Sequence, residues 1–180
     1  MELNDKTVLV TGGGSGIGLG IALALAREGC RVAITGRDGE KLQAAAAQFQ
    51  GQPPIVTRAC DVADRAAVDS LFAWLEKEWG PLDILVNSAG INVPNRKITE
   101  VRPDDWDRML AINATGAFNC IYAALPGMRD RRSGLIVNIS SIAGKRAMKL
   151  GGVGYCASKF AMTALGTTIG LEERANGIHV

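Results

Sequence analysis

The sequence predicts an α/β fold built on a doubly wound parallel sheet. Short apolar segments rich in β-branched residues alternate along the chain with helical segments of ten or more residues, an order typical of parallel β-α-β units. The apolar segments are hydrophobic almost throughout, as in LIVNI at residues 135–139, which indicates strands buried on both faces. No linker, repeat or low-complexity segment interrupts the pattern, so we expect one domain over residues 1–180.

Each element follows from its local pattern. The short β-branched segments bounded by turn residues predict strands at residues 7–11, 31–36, 55–60, 82–87 and 135–140. The longer segments predict helices at residues 16–28, 39–49, 64–79, 104–128 and 155–175. Gly51 with Pro53 and Pro54 ends the second helix, and Asn176 with Gly177 is a C-cap signal for the last one.

Composition and charge exclude several classes of protein. The chain is 47% hydrophobic, and its 20 basic and 18 acidic residues leave a net charge of +2, too balanced to favour a nucleic-acid partner. No apolar run reaches the roughly 18 residues of a membrane span, and the N-terminus does not resemble a signal peptide, so we expect a cytoplasmic protein without a membrane partner. His179 is the only histidine and the four cysteines form no C-x-x-C pair, so we predict no metal site.

Polar and glycine residues follow every predicted strand. They are TGGGSGIG at residues 11–18, Gly36 with Arg37, Asp61, NSAG at residues 87–90, and Ser140 with Ser141. In open parallel sheets ligands bind outside the carboxyl ends of the strands. We therefore expect these residues to line one extended crevice.

The turn at residues 11–18 joins the first strand to the first helix. Its glycines let the backbone turn sharply and approach a phosphate, and the helix start offers free N–H groups to an anion. The spacing is G-x-x-x-G-x-G rather than the usual G-x-G-x-x-G, and no Lys-Ser/Thr follows as in a P-loop. A tight structural turn is the alternative interpretation of this segment.

The exit of the second strand bears on the choice of cofactor. An acidic residue there accepts hydrogen bonds from a free ribose 2′-hydroxyl, whereas a guanidinium suits a 2′-phosphate. Arg37 directly follows Gly36, so we predict NADP in preference to NAD. Asp38 keeps NAD as the alternative, because a small shift would bring its carboxylate to the ribose.

The motifs at the strand exits, taken in order, resemble those of the short-chain dehydrogenase/reductase family. The turn at residues 11–18 is similar to its T-G-x-x-x-G-x-G turn, and NSAG is similar to its N-N-A-G element, with Ser88 in place of the second asparagine. Tyr155 and Lys159 in YCASK resemble its Y-x-x-x-K pair. The resemblance covers essentially the whole chain and implies a Rossmann-like oxidoreductase that interconverts a small-molecule carbonyl and alcohol with NADP or NAD.

The resemblance also implies two sets of site residues. The implied catalytic tetrad is Asn113, Ser141, Tyr155 and Lys159. The implied cofactor contacts, with Arg37 added from its position, are Gly12, Gly14, Ser15, Gly16, Ile17, Gly18, Arg37, Asp61, Val62, Asn87, Ala89, Gly90, Tyr155 and Lys159. Ser140 is the alternative to Ser141, and the S-x-x-G pattern with Gly144 favours Ser141.

The residue types suit proton transfer. Tyr155 and Lys159 are four residues apart at a helix start and therefore share a face. A neighbouring ammonium favours the phenolate form of a phenol, so the pair suits a general acid and base, with Ser141 steadying the substrate oxygen. Lys145, Arg146 and Lys149 lie in the loop between them, either as solvated side chains or beside an anionic substrate.

Asn113 interrupts an apolar helical stripe that runs from Trp106 to Ile121. A buried asparagine needs hydrogen-bond partners, so one interpretation is a satisfied core amide. The resemblance implies another, in which the helix is kinked at Asn113 and a water relays protons to Lys159. Both alternatives stay open from the sequence.

We expect the C-terminal end of the domain to be incomplete. Residues 178–180 (IHV) begin what resembles a further strand, whereas members of the family continue with more strands, a cofactor loop and a substrate lid. We expect the strand at residues 135–140 to lie uncovered and the 180-residue chain to be poorly soluble and nearly inactive. The alternatives to an active enzyme are an inert nucleotide-binding fragment and an assembly subunit; full-length copies are expected to form a homo-oligomer.

Overall fold

The computed structural model describes residues 2–180 and contains a six-stranded sheet in which all strands are parallel. The strands are β1 (Thr7–Thr11), β2 (Arg31–Gly36), β3 (Val56–Ala59), β4 (Ile84–Asn87), β5 (Gly134–Asn138) and β6 (Ile178–His179). The α-helices are α1 (Gly16–Arg27), α2 (Gly39–Ala46), α3 (Arg65–Trp79), α4 (Pro103–Leu110), α5 (Gly116–Arg131) and α6 (Val153–Glu173). The predicted fold class is confirmed.

The strand order is β3-β2-β1-β4-β5-β6. The chain starts in the middle of the sheet, runs outward through β2 and β3, and returns to the other side of β1 for β4 and β5. The order therefore reverses between β1 and β4, and a ligand crevice in such a sheet lies outside the carboxyl ends of the strands at that point.

Both faces of the sheet are buried, as the apolar strands predict. Leu9 of β1 joins one buried cluster with Leu71 of α3, whereas its neighbour Val8 joins a second cluster with Ala22 of α1 and Leu42 of α2. Successive side chains of a strand point to opposite faces, so this division follows from the pleat. The sheet is thus the rigid middle layer from whose edge the site residues project.

Several predicted bounds differ by a few residues. The helix predicted at residues 39–49 ends at Ala46, because the N–H groups of Gln48 and Phe49 bond to carbonyls three residues earlier, at 3.1 and 3.0 Å, instead of continuing the α-helix. Asp38 and Asp64 cap α2 and α3 by accepting hydrogen bonds from backbone N–H groups of the first turn. The caps fix where α2 and α3 begin after β2 and β3.

The helical segment Pro103–Arg131 is long and apolar. By length and composition alone it could cross a membrane, but half of its most apolar window is buried inside the protein. A five-residue π-helical turn, Ala111–Thr115, divides it into α4 and α5. The segment predicted as one helix at residues 104–128 therefore has a break at Asn113.

The expectation that β5 lies uncovered is corrected in part. Ile178 and His179 pair with Gly134 and Leu135, so β6 covers the start of β5. Gly177, with φ of +74°, gives the chain the left-handed turn that brings it from the end of α6 into the sheet. Within residues 2–180 the pairing stops there, and the last three residues of β5 form the edge of the sheet.

The ends of α5 and α6 are joined by a buried carboxylate. Glu173 is 2% exposed, and it accepts a hydrogen bond from Arg129 Nε at 2.8 Å, a second from Arg129 Nη2, and one from Asn176 Nδ2 at 2.9 Å. The hydrogen bonds from Arg129 outweigh the effect of burial and lower the pKa of Glu173 to about 2. The two helices flank β5, so this contact holds the outer part of the sheet together.

We predict that Glu173→Gln lowers the urea midpoint of unfolding at neutral pH. A carboxyl whose pKa is lower in the folded protein stabilises the fold fully above its unfolded pKa of about 4.3, and this contribution is lost as the pH falls toward 2. The difference between the variant and wild type should therefore shrink as the pH is lowered from about 5. Denaturant titrations along a pH series measure it.

Glu172→Gln is the matched control, because Glu172 is the exposed neighbour on the same helix. It should leave the midpoint nearly unchanged at every pH. A Glu173→Gln effect that stays constant from neutral to acid pH would contradict the assigned role of the charge.

Candidate active site

Two adjoining cavities lie along the carboxyl ends of the strands, each of about 580 Å³. The first cavity lies at the exits of β2 and β3, and the second lies between the exit of β5 and the start of α6. Gly12, Ser15, Gly90 and Ile91 line both, so the cavities form one crevice across the point where the strand order reverses. The predicted single crevice is therefore present.

The cavities bring together most of the predicted site residues. Those lining the first cavity are Gly12, Gly14, Ser15, Arg37, Asp61, Val62, Ala89 and Gly90. Those lining the second cavity are Gly12, Ser15, Gly16, Ile17, Gly18, Gly90, Ser141, Tyr155 and Lys159. Asn87 and Asn113 line neither cavity and are 1% and 0% exposed.

The glycine turn needs glycine for close backbone contact. Gly12 has a φ of +66°, and a Cβ there would lie 2.8 Å from the Cα of Ala89. A Cβ at Gly18 would lie 2.5 Å from the carbonyl oxygen of Gly12. Side chains at these positions would push the turn away from the segment after β4 and from the first turn of α1. The two glycines therefore let the turn pack closely against both neighbours.

The start of α1 is left open toward the crevice. Ser15 is its N-cap residue and makes no side-chain capping hydrogen bond within the described chain. Nothing lies within 4 Å of the position a Cβ would take at Gly16, whose φ is +55°. An uncapped helix start with open space in front of it fits an anionic group such as a pyrophosphate.

The exit of β2 places two cations at the first cavity. Arg37 is exposed and lines the cavity, and Lys41, on the first turn of α2, lines it as well. The Asp38 carboxylate accepts a hydrogen bond from the Lys41 N–H at 3.0 Å, which engages it as the cap of α2. Sequence reasoning missed Lys41, which lies on the first turn of α2 and not directly at the exit of the strand.

Asp61 closes the far end of the first cavity. Its Oδ1 atom accepts a hydrogen bond from the Ala63 N–H at 3.0 Å, and the preceding Cys60 N–H donates to the Gly36 carbonyl at 2.9 Å. These bonds extend the β2–β3 pairing by one step and hold the carboxylate in place. Burial raises the pKa of the neighbouring Cys60 thiol to about 11, so Cys60 is an unreactive wall of the cavity.

The NSAG segment is held by Thr11, which sequence reasoning did not single out. The Thr11 hydroxyl accepts hydrogen bonds from the N–H groups of Ser88 and Ala89, both at 3.1 Å. Asn87 lies behind the crevice and donates to Asn138 Oδ1 at 2.9 Å, which links β4 to β5. The segment lines the crevice through its later residues, and Asn87 acts within the sheet.

Asn113 lies on the π-helical turn between α4 and α5. Its side chain accepts a hydrogen bond from the Ile91 N–H at 2.7 Å and donates to the Ile91 carbonyl at 2.8 Å and to Ser158 Oγ at 3.0 Å. The structure therefore contains both the satisfied buried amide and a helix irregularity at this residue. The amide positions the backbone beside Gly90 and joins it to α6.

The two candidate serines have different surroundings. The Ser140 hydroxyl faces Thr163 Oγ1 of α6 at 2.7 Å, whereas Ser141 Oγ accepts a hydrogen bond from the Ala143 N–H at 3.1 Å. An accepting hydroxyl keeps its own proton free to donate. A Cβ at Gly144 would lie 2.5 Å from the Lys159 carbonyl oxygen, so this glycine lets the serine turn pack directly on α6.

Lys159 is a buried cation at the second cavity. It is 5% exposed, and its Nζ atom donates to the Ile139 carbonyl at 2.7 Å and lies 3.6 Å from Met162 Sδ. No carboxylate lies within salt-bridge distance in the described part of the chain, and burial lowers the pKa of Lys159. Nζ lies 5.9 Å from the ring centroid of Tyr155, the other residue of the predicted pair.

A doubly wound sheet with an open helix start, a glycine turn and a buried lysine beside a tyrosine defines a nucleotide-binding α/β protein. The chain belongs to the short-chain dehydrogenase family, whose model matches residues 6–180. This confirms the family predicted from the sequence and makes the protein an oxidoreductase by class.

Three known proteins illustrate the similarity. The sorbitol dehydrogenase of Cereibacter sphaeroides is 40% identical over 181 aligned residues, covering 100% of this chain and 69% of that protein. The structure of a metagenomic short-chain oxidoreductase in complex with NADP matches with a TM-score of 0.92 and 32% identity, covering 99% of this chain and 80% of that one. NAD⁺-bound xylitol dehydrogenase matches with a TM-score of 0.94 and 34% identity, covering 100% and 69%.

We predict opposite effects of alanine at two glycines of α1. Gly18→Ala should destabilise the protein and weaken nucleotide binding, because the new Cβ would meet the Gly12 carbonyl. Gly20→Ala is the matched control: Gly20 is exposed with nothing within 4 Å, so alanine should stabilise the helix by up to about 1 kcal/mol. Thermal unfolding and nucleotide titrations measure both variants, and an equal response to the two substitutions would contradict the packing argument.

Proposed function

We propose that this protein interconverts a carbonyl group and a secondary alcohol with NADP(H), with Tyr155 as general acid and base. The observation that carries the proposal is the buried ammonium of Lys159 beside the ring of Tyr155, without a carboxylate partner, at a cavity that continues into the glycine turn. A buried cation without an anion destabilises a fold. Its presence at a cavity is therefore best explained by the chemistry performed there.

The residues of the crevice fit a nicotinamide nucleotide. The open start of α1, with Gly14, Ser15 and Gly16, would hold the pyrophosphate, and Asp61 would contact the adenine. Lys159 would hold the nicotinamide ribose with the donors that Ile139 leaves free. When bound, the cofactor supplies or accepts the hydride.

The proton chemistry is assigned to this chain's own side chains. Tyr155 would donate its phenolic proton to the substrate oxygen in reduction and accept it in oxidation, since a positioned side chain can transfer a proton as charge develops. Ser141 would donate its free hydroxyl proton to the same oxygen and stabilise its negative charge. The positive charge of Lys159 lies beside the Tyr155 ring, where it would stabilise negative charge that develops as the proton moves.

The preference for NADP is proposed from the charges at the exit of β2. Arg37 and Lys41 both line the first cavity, and Asp38 lines it as well, with its Oδ1 atom engaged as the cap of α2. At the exit of β2, two cations beside one carboxylate favour a ribose that carries a 2′-phosphate. The similarity to one NADP-bound and one NAD⁺-bound protein supports a nicotinamide nucleotide in general.

The cytoplasmic location and the homo-oligomer also remain proposals. Phe118 and Tyr122 of α5 stack with ring centroids 5.8 Å apart and are 38% and 64% exposed. Phe160 of α6 is 42% exposed. Large apolar side chains on exposed helix faces support pairing with a second copy of the chain through these helices.

We predict that Tyr155→Phe lowers the turnover rate by at least about 100-fold and leaves NADPH affinity nearly unchanged, because only the phenolic proton is removed. NADPH oxidation against a panel of ketones, with fluorescence titration of NADPH, measures the two quantities separately. Tyr122→Phe is the matched control, since Tyr122 is exposed on α5 and lines neither cavity. Normal turnover by the Tyr155 variant would refute the assigned role, and NADPH binding without turnover by wild type would favour an inert nucleotide-binding protein.

We predict that Arg37→Ala weakens NADP⁺ binding by about 10- to 100-fold, the range expected for lost hydrogen bonds to a charged group. NAD⁺ binding should change much less, because it lacks the 2′-phosphate. Isothermal titration of both nucleotides measures the ratio, and Arg27→Ala is the control because Arg27 is exposed at the far end of α1. Equal losses for the two nucleotides would show that Arg37 does not select the phosphate.

A further inference from the structure

The second cavity carries positive charge without a compensating carboxylate. Two cations line it, Lys159 and Arg96, and no aspartate or glutamate does so within residues 2–180. Lys159 is already placed beside Tyr155 by the proposed function. Arg96 lies in the loop between β4 and α4. Neither the sequence motifs nor the proposed function assigns it a role.

The Arg96 guanidinium is held in place from two directions. Its Nε atom donates to the Val93 carbonyl at 2.8 Å, and its Nη1 atom donates to the Leu150 carbonyl at 2.9 Å. The first bond lies within the loop after β4, and the second joins this loop to the segment that precedes α6. The Nη2 atom makes no hydrogen bond to any described residue, so its donors remain available.

The backbone of Arg96 is tied to the helix that carries Tyr155. Its carbonyl accepts a hydrogen bond from the N–H of Val153, the first residue of α6, at 3.2 Å. Gly152, with φ of +78°, packs so closely that a Cβ there would lie 2.6 Å from the same carbonyl oxygen. Arg96 therefore keeps a constant position relative to the start of α6.

The charge of Arg96 is not neutralised by the protein. The neighbouring Lys97 pairs with Glu100 at 2.7 Å, and the buried Glu173 pairs with Arg129. Arg96 has no carboxylate within 4.0 Å among residues 2–180. A half-buried guanidinium that is held rigidly at a cavity, with donors left over, is an arrangement for binding an anion.

We propose that Arg96 determines substrate specificity by binding a carboxylate of the substrate, which is an oxo acid in reduction and the corresponding hydroxy acid in oxidation. The inference rests on the proposed function, because it places the reacting carbonyl at Tyr155 and Ser141 in the same cavity. The carboxylate takes no part in bond changes. It fixes the substrate through charge-assisted hydrogen bonds to the guanidinium, and the exposed cations Lys145, Arg146 and Lys149 on the adjoining loop add to the attraction.

The test compares acids with their neutral esters. The probes are 2-oxobutanoate, 3-oxobutanoate and 4-oxopentanoate and their methyl esters, reduced with NADPH by the full chain. Wild type should reduce at least one acid with a higher kcat/KM than its ester. Arg96→Met should lower kcat/KM for that acid by about 10- to 100-fold, the range for a lost charge-assisted bond, with little change for the ester.

Two further variants separate charge from loop packing. Arg96→Lys should retain part of the preference for the acid because it keeps the charge, and Lys97→Met should retain all of it because Lys97 lies outside the cavity. If Arg96→Met does not fold, Arg96→Gln replaces it, since its amide nitrogen corresponds to the arginine Nε atom that donates to the Val93 carbonyl. A wild type that prefers no acid, or an Arg96 variant that loses acid and ester activity equally, would overturn the proposal.

A second measurement keeps the inference separate from the proposed function. If no probe is reduced, the proposed oxidoreductase activity is in doubt, and calorimetric titration of the three acids in the presence of NADP⁺ decides the anion site. Binding to wild type that is lost in the Arg96→Met or Arg96→Gln variant would support it. Equal binding to wild type and variant, or no binding to wild type, would overturn it.

Discussion

The crevice depends on the close approach of two backbones where the strand order reverses. Gly12, at the exit of β1, lies against Ala89, at the exit of β4, and the Thr11 hydroxyl holds the N–H groups of Ser88 and Ala89. This contact sets the floor shared by both cavities. A side chain at Gly12 would separate β1 from the segment after β4, and the nucleotide end of the crevice would lose its alignment with Tyr155 and Lys159.

The second constraint is the burial of Lys159. An ammonium removed from water without an anion costs stability, and here the Ile139 carbonyl and the polarisable Met162 sulfur offset only part of that cost. The segment that follows β5 packs directly on α6 through Gly144 and the Ser140–Thr163 contact. The buried charge therefore lowers stability near the site, whereas the Arg129–Glu173 pair joins α5 to the far end of α6 and adds stability there.

The sequence predicts the sheet, the family and most of the residues that line the crevice, because these depend on local patterns and on motif spacing. It could not decide between the two interpretations of Asn113, because the π-helical turn leaves the apolar stripe almost unchanged while it redirects the amide toward Ile91 and Ser158. It missed the roles of Thr11 and Arg96 because they contact groups that are distant in the sequence, the Ser88 and Ala89 N–H groups and the Leu150 carbonyl. It missed Lys41 because this residue lies on a helix and reaches the cavity only in the folded protein. The partial cover of β5 by β6 was missed for a similar reason, since it depends on where the turn at Gly177 directs the chain.

Arg129 and Arg96 show how the same side chain is used in two ways within one fold. Arg129 donates to the buried carboxylate of Glu173 where α5 and α6 meet. This ion pair neutralises the charge of Arg129, so the guanidinium is not available to a ligand. Arg96 is anchored only by uncharged carbonyl groups, which fix its direction without cancelling its charge. Neutral acceptors are therefore the suitable anchor for a cation that must remain available, and the loop after β4 combines that anchor with a direct tie to the helix of Tyr155.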